Sequence, residues 1–226
     1  MLIEQPNILL KKIYPSALWR MDPDEKAIYL TFDDGPIPEV TPWVLDKLDQ
    51  HGVKATFFMV GDNVRKHPDI FRMVVERGHG FGNHTMHHIK IFDRNSLRYM
   101  DDVREADKII IDNLPPGYLE DNNGQRSIVN GQCRLFRPPH GFMNHYQYKK
   151  LQRAGYMIVM WDLVTRDYSY KLRPPQVLSN VLRYARNGSI ITFHDSLRSW
   201  NNGNLQYALS HTLWFLKEEG YQFKLL

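Results

Sequence analysis

Short apolar runs alternate with segments of helical periodicity along almost the whole chain. We predict seven strands, and each of the first six is followed by a segment whose apolar residues recur at helical spacing. Such alternation is typical of parallel strands joined by right-handed helical crossovers, so we expect an α/β fold. The predicted strands span residues 27–30, 54–60, 79–82, 134–137, 156–161, 189–193 and 221–226.

The length of 226 residues suits one α/β domain, and no stretch of the sequence marks a linker. We expect an N-terminal segment over residues 1–26, with a short helix from Ile8 to Ile13, and a single domain over residues 27–226. Within that domain, Thr41 is predicted to be the N-cap of a helix, and Pro68 is predicted to break another helix into two pieces.

The composition excludes several classes of protein. The net charge is only +4 and the lysines and arginines are dispersed, which argues against nucleic-acid binding. Cys133 is the only cysteine, so no intramolecular disulfide is expected. No apolar segment approaches the roughly 20 residues that span a bilayer, and no export signal is recognised. The expected location is cytoplasmic, or extracytoplasmic if the chain is part of a longer one; the oligomeric state is left open.

Polar clusters follow five of the predicted strands. They are Asp33-Asp34 after the first strand, His84 to His88 after the third, Arg137 to His140 after the fourth, Asp167 after the fifth and His194 after the sixth. Because the carboxyl ends of barrel strands gather at one rim, these clusters are expected to meet there.

Three of these side chains form a plausible set of metal ligands. His84 and His88 are four residues apart, so a helical turn would place both imidazoles on one face. With the carboxylate of Asp34 they supply two nitrogens and one oxygen, as in catalytic zinc sites that keep an open position. His87 is expected to point away from this set. A histidine-rich turn without metal, and the facial triad of an iron oxygenase, remain alternatives.

The remaining clusters could supply proton transfer around such an ion, which would polarise a carbonyl and acidify water. Asp33 is placed to act as a base, and Arg137 could pair with it and keep it ionised. His194 is the candidate acid, and Asp167 could fix its tautomer and support its cationic form. Backbone N–H groups in the 139–141 turn could bind an oxyanion.

The five clusters, in this order, resemble the motifs of the polysaccharide deacetylase family, the carbohydrate esterases with a NodB-homology domain. The resemblance extends from about residue 27 to the end of the chain. The matching segments are Thr31-Phe32-Asp33-Asp34-Gly35-Pro36, His84-Thr85-Met86-His87-His88, Arg137-Pro138-Pro139-His140-Gly141, Asp167-Tyr168 and Ile191-Thr192-Phe193-His194.

The resemblance implies a single-domain distorted (β/α)7 barrel and a hydrolase that removes N-acetyl groups from a glucosamine-containing poly- or oligosaccharide and releases acetate. It implies a divalent metal, most often zinc, with cobalt, nickel or iron as possibilities, bound by Asp34, His84 and His88. The implied catalytic residues are Asp33 as base, His194 as acid, Arg137 orienting the base, Asp167 tuning the acid, and the His140 backbone N–H as oxyanion donor. The implied groove residues are Pro139, Gly141, Tyr168, Ile191 and Phe193.

Three features depart from the family pattern. His140 replaces the usual tyrosine or phenylalanine, and Tyr168 replaces a common tryptophan. A polar loop at 115–132 is long for a compact domain and could narrow or extend the binding site.

Other functions remain open at this point. The chain could be an O-deacetylase, a deformylase acting on a lipid-linked sugar or small glycan, or a carbohydrate-binding module without turnover. In the last case, aromatic side chains would stack on sugar rings, with Phe142, Tyr146, Tyr168 and Trp200 as candidates.

Overall fold

Eight short strands form one parallel sheet in the computed structural model, which describes residues 4–89, 96–118 and 134–226. The strands are β1 Ala27–Asp33, β2 Thr56–Met59, β3 Gly80–Asn83, β4 Arg134–Phe136, β5 Tyr156–Ile158, β6 Leu163–Val164, β7 Ser189–His194 and β8 Gln222–Phe223. Seven of them lie in the order β5-β4-β3-β2-β1-β7-β6, and β8 pairs with the beginning of β1. The sheet curls into an incomplete barrel, which confirms the distorted (β/α)7 prediction.

The helices follow the predicted alternation. They are α1 Ile8–Ile13, α2 Thr41–Gln50, α3 Gly61–Lys66, α4 Pro68–Glu76, α5 Ser96–Asp112, α6 His145–Arg153, α7 Pro174–Tyr184, α8 Leu197–Asn201 and α9 Asn204–Glu218. The predicted break at Pro68 is confirmed, because α4 begins at that proline. The predicted N-cap is wrong: Val40 is the N-cap, and Thr41 is already helical because its hydroxyl is bonded elsewhere.

One strand was missed because it is very short. The predicted strand over residues 156–161 ends at Ile158. A separate two-residue strand, β6, begins five residues later at Leu163 and pairs with β7. Two residues leave no periodic pattern in a sequence. The predicted last strand, residues 221–226, is the two-residue β8, and β6 takes the seventh place in the curled sheet.

Alternate side chains of β1 and β7 pack on opposite faces of the sheet, as the strand period of two requires. One set packs with the helices in the largest apolar cluster. Burial of each large side chain there contributes about 1.5–3 kcal/mol to the stability of the folded state. The other set faces the barrel interior. The outer set includes Leu30, Phe32, Ile191 and Phe193, and the inner set includes Tyr29 and Ile190 with Phe58 and Val159.

The N-terminal segment pairs with the barrel at two points. Leu18 forms a parallel bridge with Val159, beyond the end of β5, and Arg20 forms an antiparallel bridge with Ser189 at the start of β7. The boundary at residue 26 stays a prediction.

Two predictions fall wholly or largely outside the described residues. These concern Cys133 and the role of the 115–132 loop, of which only residues 115–118 are described. In the described ranges, no helix has both the length and the apolar character needed to cross a bilayer.

Candidate active site

A cavity of about 480 Å³ opens at the carboxyl ends of the strands. It exists because β1, β3, β4, β6 and β7 are parallel, so the polar clusters at their carboxyl ends meet at the same rim. The register places Asp33, the last residue of β1, directly opposite His194, the last residue of β7. The predicted site residues that line this cavity are Asp33, Asp34, His84, His88, Arg137, His140, Gly141, Tyr168 and His194.

The three predicted metal ligands meet on one side of the cavity. Asp34, His84 and His88 each offer one ligand atom, and these atoms all lie within 4.8 Å of one another. Asp34 Oδ1 is 3.2 Å from His88 Nε2 and 3.7 Å from His84 Nε2.

The backbone that brings the two histidines together is not helical. Residues 84–88 form a bent loop after β3, with φ of 66° at Thr85 and 50° at His88. The expectation of a helical turn is therefore wrong, although both imidazoles still face Asp34. Asp34 itself has φ of 86°, in the left-handed region, so its side chain turns away from the direction of β1.

The chemistry of these side chains fits a divalent cation. His84 Nδ1 is 2.8 Å from the carbonyl oxygen of Arg137, so this nitrogen donates and Nε2 keeps its lone pair towards Asp34. Burial lowers the pKa of His84 to about 4, which keeps the ring neutral. Burial opposes ionisation of Asp34, but the hydrogen bond from His88 and the nearby imidazoles hold the pKa of this carboxyl below its usual value.

Asp102 of α5 holds the histidine loop in place and was not identified from the sequence. Its carboxylate accepts the backbone N–H of Met86 at 2.7 Å and that of His87 at 3.2 Å. It also lies 2.6 Å from Nδ1 of His87, a half-exposed side chain outside the ligand set. An acidic residue on a long charged helix gives no sequence signal for this contact.

The candidate base is buried in an ion pair. Asp33 Oδ1 accepts a hydrogen bond from Arg137 Nη1 at 2.6 Å, and both side chains are almost fully buried. Arg137 also donates to Thr31 Oγ1 and to the carbonyl oxygens of Val159 and Met160. Each guanidinium nitrogen therefore has a hydrogen-bond partner, which makes the burial of Arg137 tolerable and fixes the orientation of Asp33.

The candidate acid lies across the cavity from the histidine loop. His194 Nδ1 is 2.8 Å from Asp167 Oδ1, and its backbone N–H donates to Asp167 Oδ2 at 2.8 Å. Burial disfavours the imidazolium, but the Asp167 carboxylate, together with the nearby carboxylates of Asp34 and Asp33, outweighs this effect and raises the pKa of His194 to about 9. His194 is consequently protonated at neutral pH.

The 139–141 turn forms another wall of the cavity. His140 has φ of 59°, and its ring contacts that of His88 edge-on at 4.6 Å between centroids. Gly141 has φ of 73°, and a Cβ there would lie 2.1 Å from the ring of Trp161. Trp161 is a lining residue that the sequence did not reveal, since it reads as the end of an ordinary apolar run.

The predicted groove is correct in part. Gly141 and Tyr168 line the cavity, whereas the fully buried Ile191 and Phe193 pack with the helices on the outer face of β7. Strand alternation gives the reason, because the intervening Thr192 and the terminal His194 point inward. Pro139 is buried in its turn, and Pro138 lines the cavity in its place.

Asp195 is a second acidic residue that sequence reasoning left without a role. Its fully buried carboxylate accepts the Thr41 hydroxyl at 2.6 Å and the Gly35 N–H at 3.1 Å. Burial raises the pKa of Asp195 well above its usual value. A Cβ at Gly35 would lie 2.0 Å from this carboxylate, so the turn that carries Asp34 requires glycine there.

Comparison with known proteins finds relatives that match most of the chain. The model of the family described as polysaccharide deacetylase matches residues 20–159. A peptidoglycan-N-acetylglucosamine deacetylase of Bacillus cereus is 31% identical over 220 residues, covering 96% of this chain and 94% of that protein. A chitooligosaccharide deacetylase of Rhizobium leguminosarum bv. trifolii is 33% identical over 183 residues, covering 80% of this chain and 77% of the relative.

A solved structure shares the fold over nearly the whole length. The crystal structure of a peptidoglycan N-acetylglucosamine deacetylase superposes with a TM-score of 0.81 at 29% identity, covering 98% of this chain and 95% of that one. With the family model matching more than half of the residues, the conclusion is direct: the chain belongs to the polysaccharide deacetylase family of hydrolases.

Proposed function

We propose that the chain is a metal-dependent deacetylase that hydrolyses N-acetyl groups on a glucosamine-containing poly- or oligosaccharide and releases acetate. One observation carries the proposal. Three side chains that could hold a metal ion line the same cavity as a buried Asp–Arg pair and a histidine paired with a buried carboxylate. The names of the relatives, which are deacetylases of peptidoglycan and chitooligosaccharides, support the substrate class.

Asp34, His84 and His88 would hold the cation. When bound, a divalent cation supplies Lewis-acid activation of a carbonyl oxygen and of water. Two imidazoles and one carboxylate suit zinc, and also cobalt, nickel or iron, so the donor set favours a divalent transition metal without selecting one.

Asp33 is proposed to take the proton of the attacking water. Its carboxylate lines the cavity, where a base must lie, and its Oδ1 is paired with the buried guanidinium of Arg137. Because Arg137 holds one carboxylate oxygen, the orientation of the base does not have to be acquired during the reaction.

His194 is proposed to donate a proton to the leaving amine. It enters the reaction protonated, because Asp167 raises its pKa to about 9. The hydrogen bond between Nδ1 and Asp167 also fixes the tautomer, so the proton for the substrate comes from Nε2. The backbone N–H of His140, in the turn beside His88, is the proposed oxyanion donor.

The test is acetate release from tetra-N-acetylchitotetraose by the zinc-loaded chain, followed by mass spectrometry. We expect one or more acetyl groups to be lost, and no loss after treatment with a chelator. An O-acetylated xylo-oligosaccharide and an N-formylated sugar are the comparison substrates, and faster release from either would replace the proposed reaction with that one. Glycan binding without any product in zinc, cobalt or nickel would favour a binding module, and oxygen consumption with a 2-oxo acid would favour an oxygenase.

A further inference from the structure

Arg198 adds a positive charge to the rim of the active-site cavity. It lies on the short helix α8, is exposed and belongs to the cavity lining. The other lining arginine, Arg137, is neutralised by Asp33. Among the residues that the structure describes, no carboxylate forms an ion pair with Arg198; its recorded contacts are with two aromatic rings.

These two rings are tyrosines on the loop that follows Asp167. The guanidinium carbon of Arg198 is 5.1 Å from the ring centroid of Tyr170 and 5.9 Å from that of Tyr168. Tyr170 is 65% exposed, so core packing does not account for its position. A guanidinium over an aromatic face is held by cation–π attraction and keeps the N–H donors along its edge, which suit a planar carboxylate.

The arginine and the tyrosines are anchored to the same point. Asn202, at the end of α8, donates to the backbone carbonyl of Asp167 at 2.9 Å. Asn204 donates to that same carbonyl at 2.9 Å and to the carbonyl of Ser169 at 3.1 Å. The segment that carries Arg198 and the loop that carries the tyrosines therefore have a fixed geometry relative to each other, and relative to the Asp167–His194 pair.

Tyr168 connects this rim to the reacting centre. Its ring contacts His194 edge-on at 4.7 Å between centroids, and it also contacts the guanidinium of Arg198. The ring of Tyr168 would therefore separate a group bound to Arg198 from the proposed acid, His194. A group so placed would belong to a neighbouring part of the same glycan and not to the acetyl group that is removed.

We propose that Arg198, Tyr168 and Tyr170 form a subsite for a carboxylate on the sugar next to the one being deacetylated, so that the chain prefers acidic glycans to neutral ones. The position of this subsite beside the deacetylated sugar rests on the proposed function. The preference of the subsite for a carboxylate rests on Arg198 and on the two tyrosine rings that hold it.

The test compares one saccharide in two charge states. The probes are a tetrasaccharide of alternating N-acetylglucosamine and N-acetylmuramic acid, and the same tetrasaccharide with its carboxylates converted to methyl esters. For the zinc-loaded chain at low salt, we expect kcat/KM to favour the acid by about five- to tenfold. The preference should decline as salt screens the charge.

Substitutions identify the residue responsible. In Arg198→Gln the ratio of kcat/KM for the acid to that for the ester should fall to about one. In Arg198→Lys this ratio should be intermediate, because the charge remains but the planar guanidinium and its paired N–H donors are lost. Arg183→Gln is the matched control: Arg183 lies over Tyr184 at 5.5 Å on α7, outside the cavity. That variant should keep the wild-type ratio.

Two outcomes would overturn the subsite. One is an equal kcat/KM for acid and ester in the wild-type chain, and the other is a wild-type ratio in Arg198→Gln. In the second case, a uniform loss of activity of Arg198→Gln on both probes would indicate that Arg198 only packs on the tyrosines. If the wild-type chain releases acetate from no glycan, the proposed function fails separately, and calorimetric binding of acid and ester to wild type and Arg198→Gln then decides the subsite.

Discussion

At the residue scale, Asp33 and Asp34 are adjacent in sequence but have different partners. Asp33 faces Arg137 inside the barrel, whereas Asp34 faces His84 and His88 across a backbone turn. Strand alternation alone would separate them, and the positive φ of Asp34 completes the separation. One carboxylate is therefore available as a base while its neighbour is engaged as a candidate ligand.

This division of roles predicts different effects for two similar substitutions. Asp33→Asn should lower kcat by about 10²–10⁴-fold, because an amide cannot accept the proton, while zinc content stays near one per chain. Asp34→Asn should lower the zinc content itself. Steady-state kinetics and metal analysis of the two purified variants provide the comparison. A near-normal kcat in Asp33→Asn would rule out Asp33 as the base.

The Asp167–His194 pair predicts the alkaline limit of activity. The acid must be protonated, so kcat should fall as pH rises through the pKa of His194, about 9. Asp167→Asn removes the charge that raises this pKa, so the alkaline limb should move to lower pH by a unit or more. The full pH profile of kcat is the measurement, and an unchanged limb in the variant would assign it to another group.

At the element scale, the histidine loop depends on a helix that contributes no ligand. Asp102 of α5 accepts two backbone N–H groups of the loop and contacts His87. Outer partners of this kind orient metal ligands and affect affinity strongly. The loop and α5 are thus one functional unit, although only the loop carries a recognisable motif.

We therefore expect Asp102→Ala to weaken zinc binding by about 10- to 100-fold while all three ligands remain. The control is Asp101→Ala on the same helix, since Asp101 pairs, within the described part of the chain, with the exposed Arg104 and should leave zinc affinity unchanged. Competitive titration against a zinc-binding dye measures both affinities. Equal affinities in the two variants would contradict the positioning role of Asp102.

At the scale of the whole molecule, the proposed cation site joins distant parts of the chain. Asp34 follows β1, and the two histidines follow β3, with β2 between these strands in the sheet. A ligand that binds only the folded state stabilises it according to its concentration and affinity. The metal should consequently stabilise the barrel as well as activate it.

Zinc at about 100 times its dissociation constant should add about 2.7 kcal/mol to the free energy of unfolding, which corresponds to a rise in Tm of roughly 5–10 °C for a chain of this size. His88→Ala should lose most of this rise. His87→Ala should keep it, because His87 faces Asp102 and not the ligand set. Thermal unfolding with and without zinc tests the difference, and an equal rise in both variants would exclude His88 as a ligand.

Much of the fold and site follows from local sequence. Strand–helix alternation and the polar clusters after five of the predicted strands predict an α/β barrel with chemistry at one rim. The helix break at Pro68 follows from the missing N–H of proline. The ligand spacing from His84 to His88 predicts proximity, although a bent loop and not a helix provides it. The location of the protein and its domain boundary stay predictions.

Residue type and position after a strand are local properties, so the residues that could do chemistry can be identified from the sequence alone. Which of these residues face one another is set by the packing of the folded barrel. Asp33 lies opposite His194 because of the register between β1 and β7. Thr192 lines the cavity, and Ile191 does not, because of which face of β7 is turned inward. Asp102 and Arg198 reach the site from separate helices. These contacts join residues far apart in the chain, and packing of the whole barrel sets them, so no local pattern specifies them.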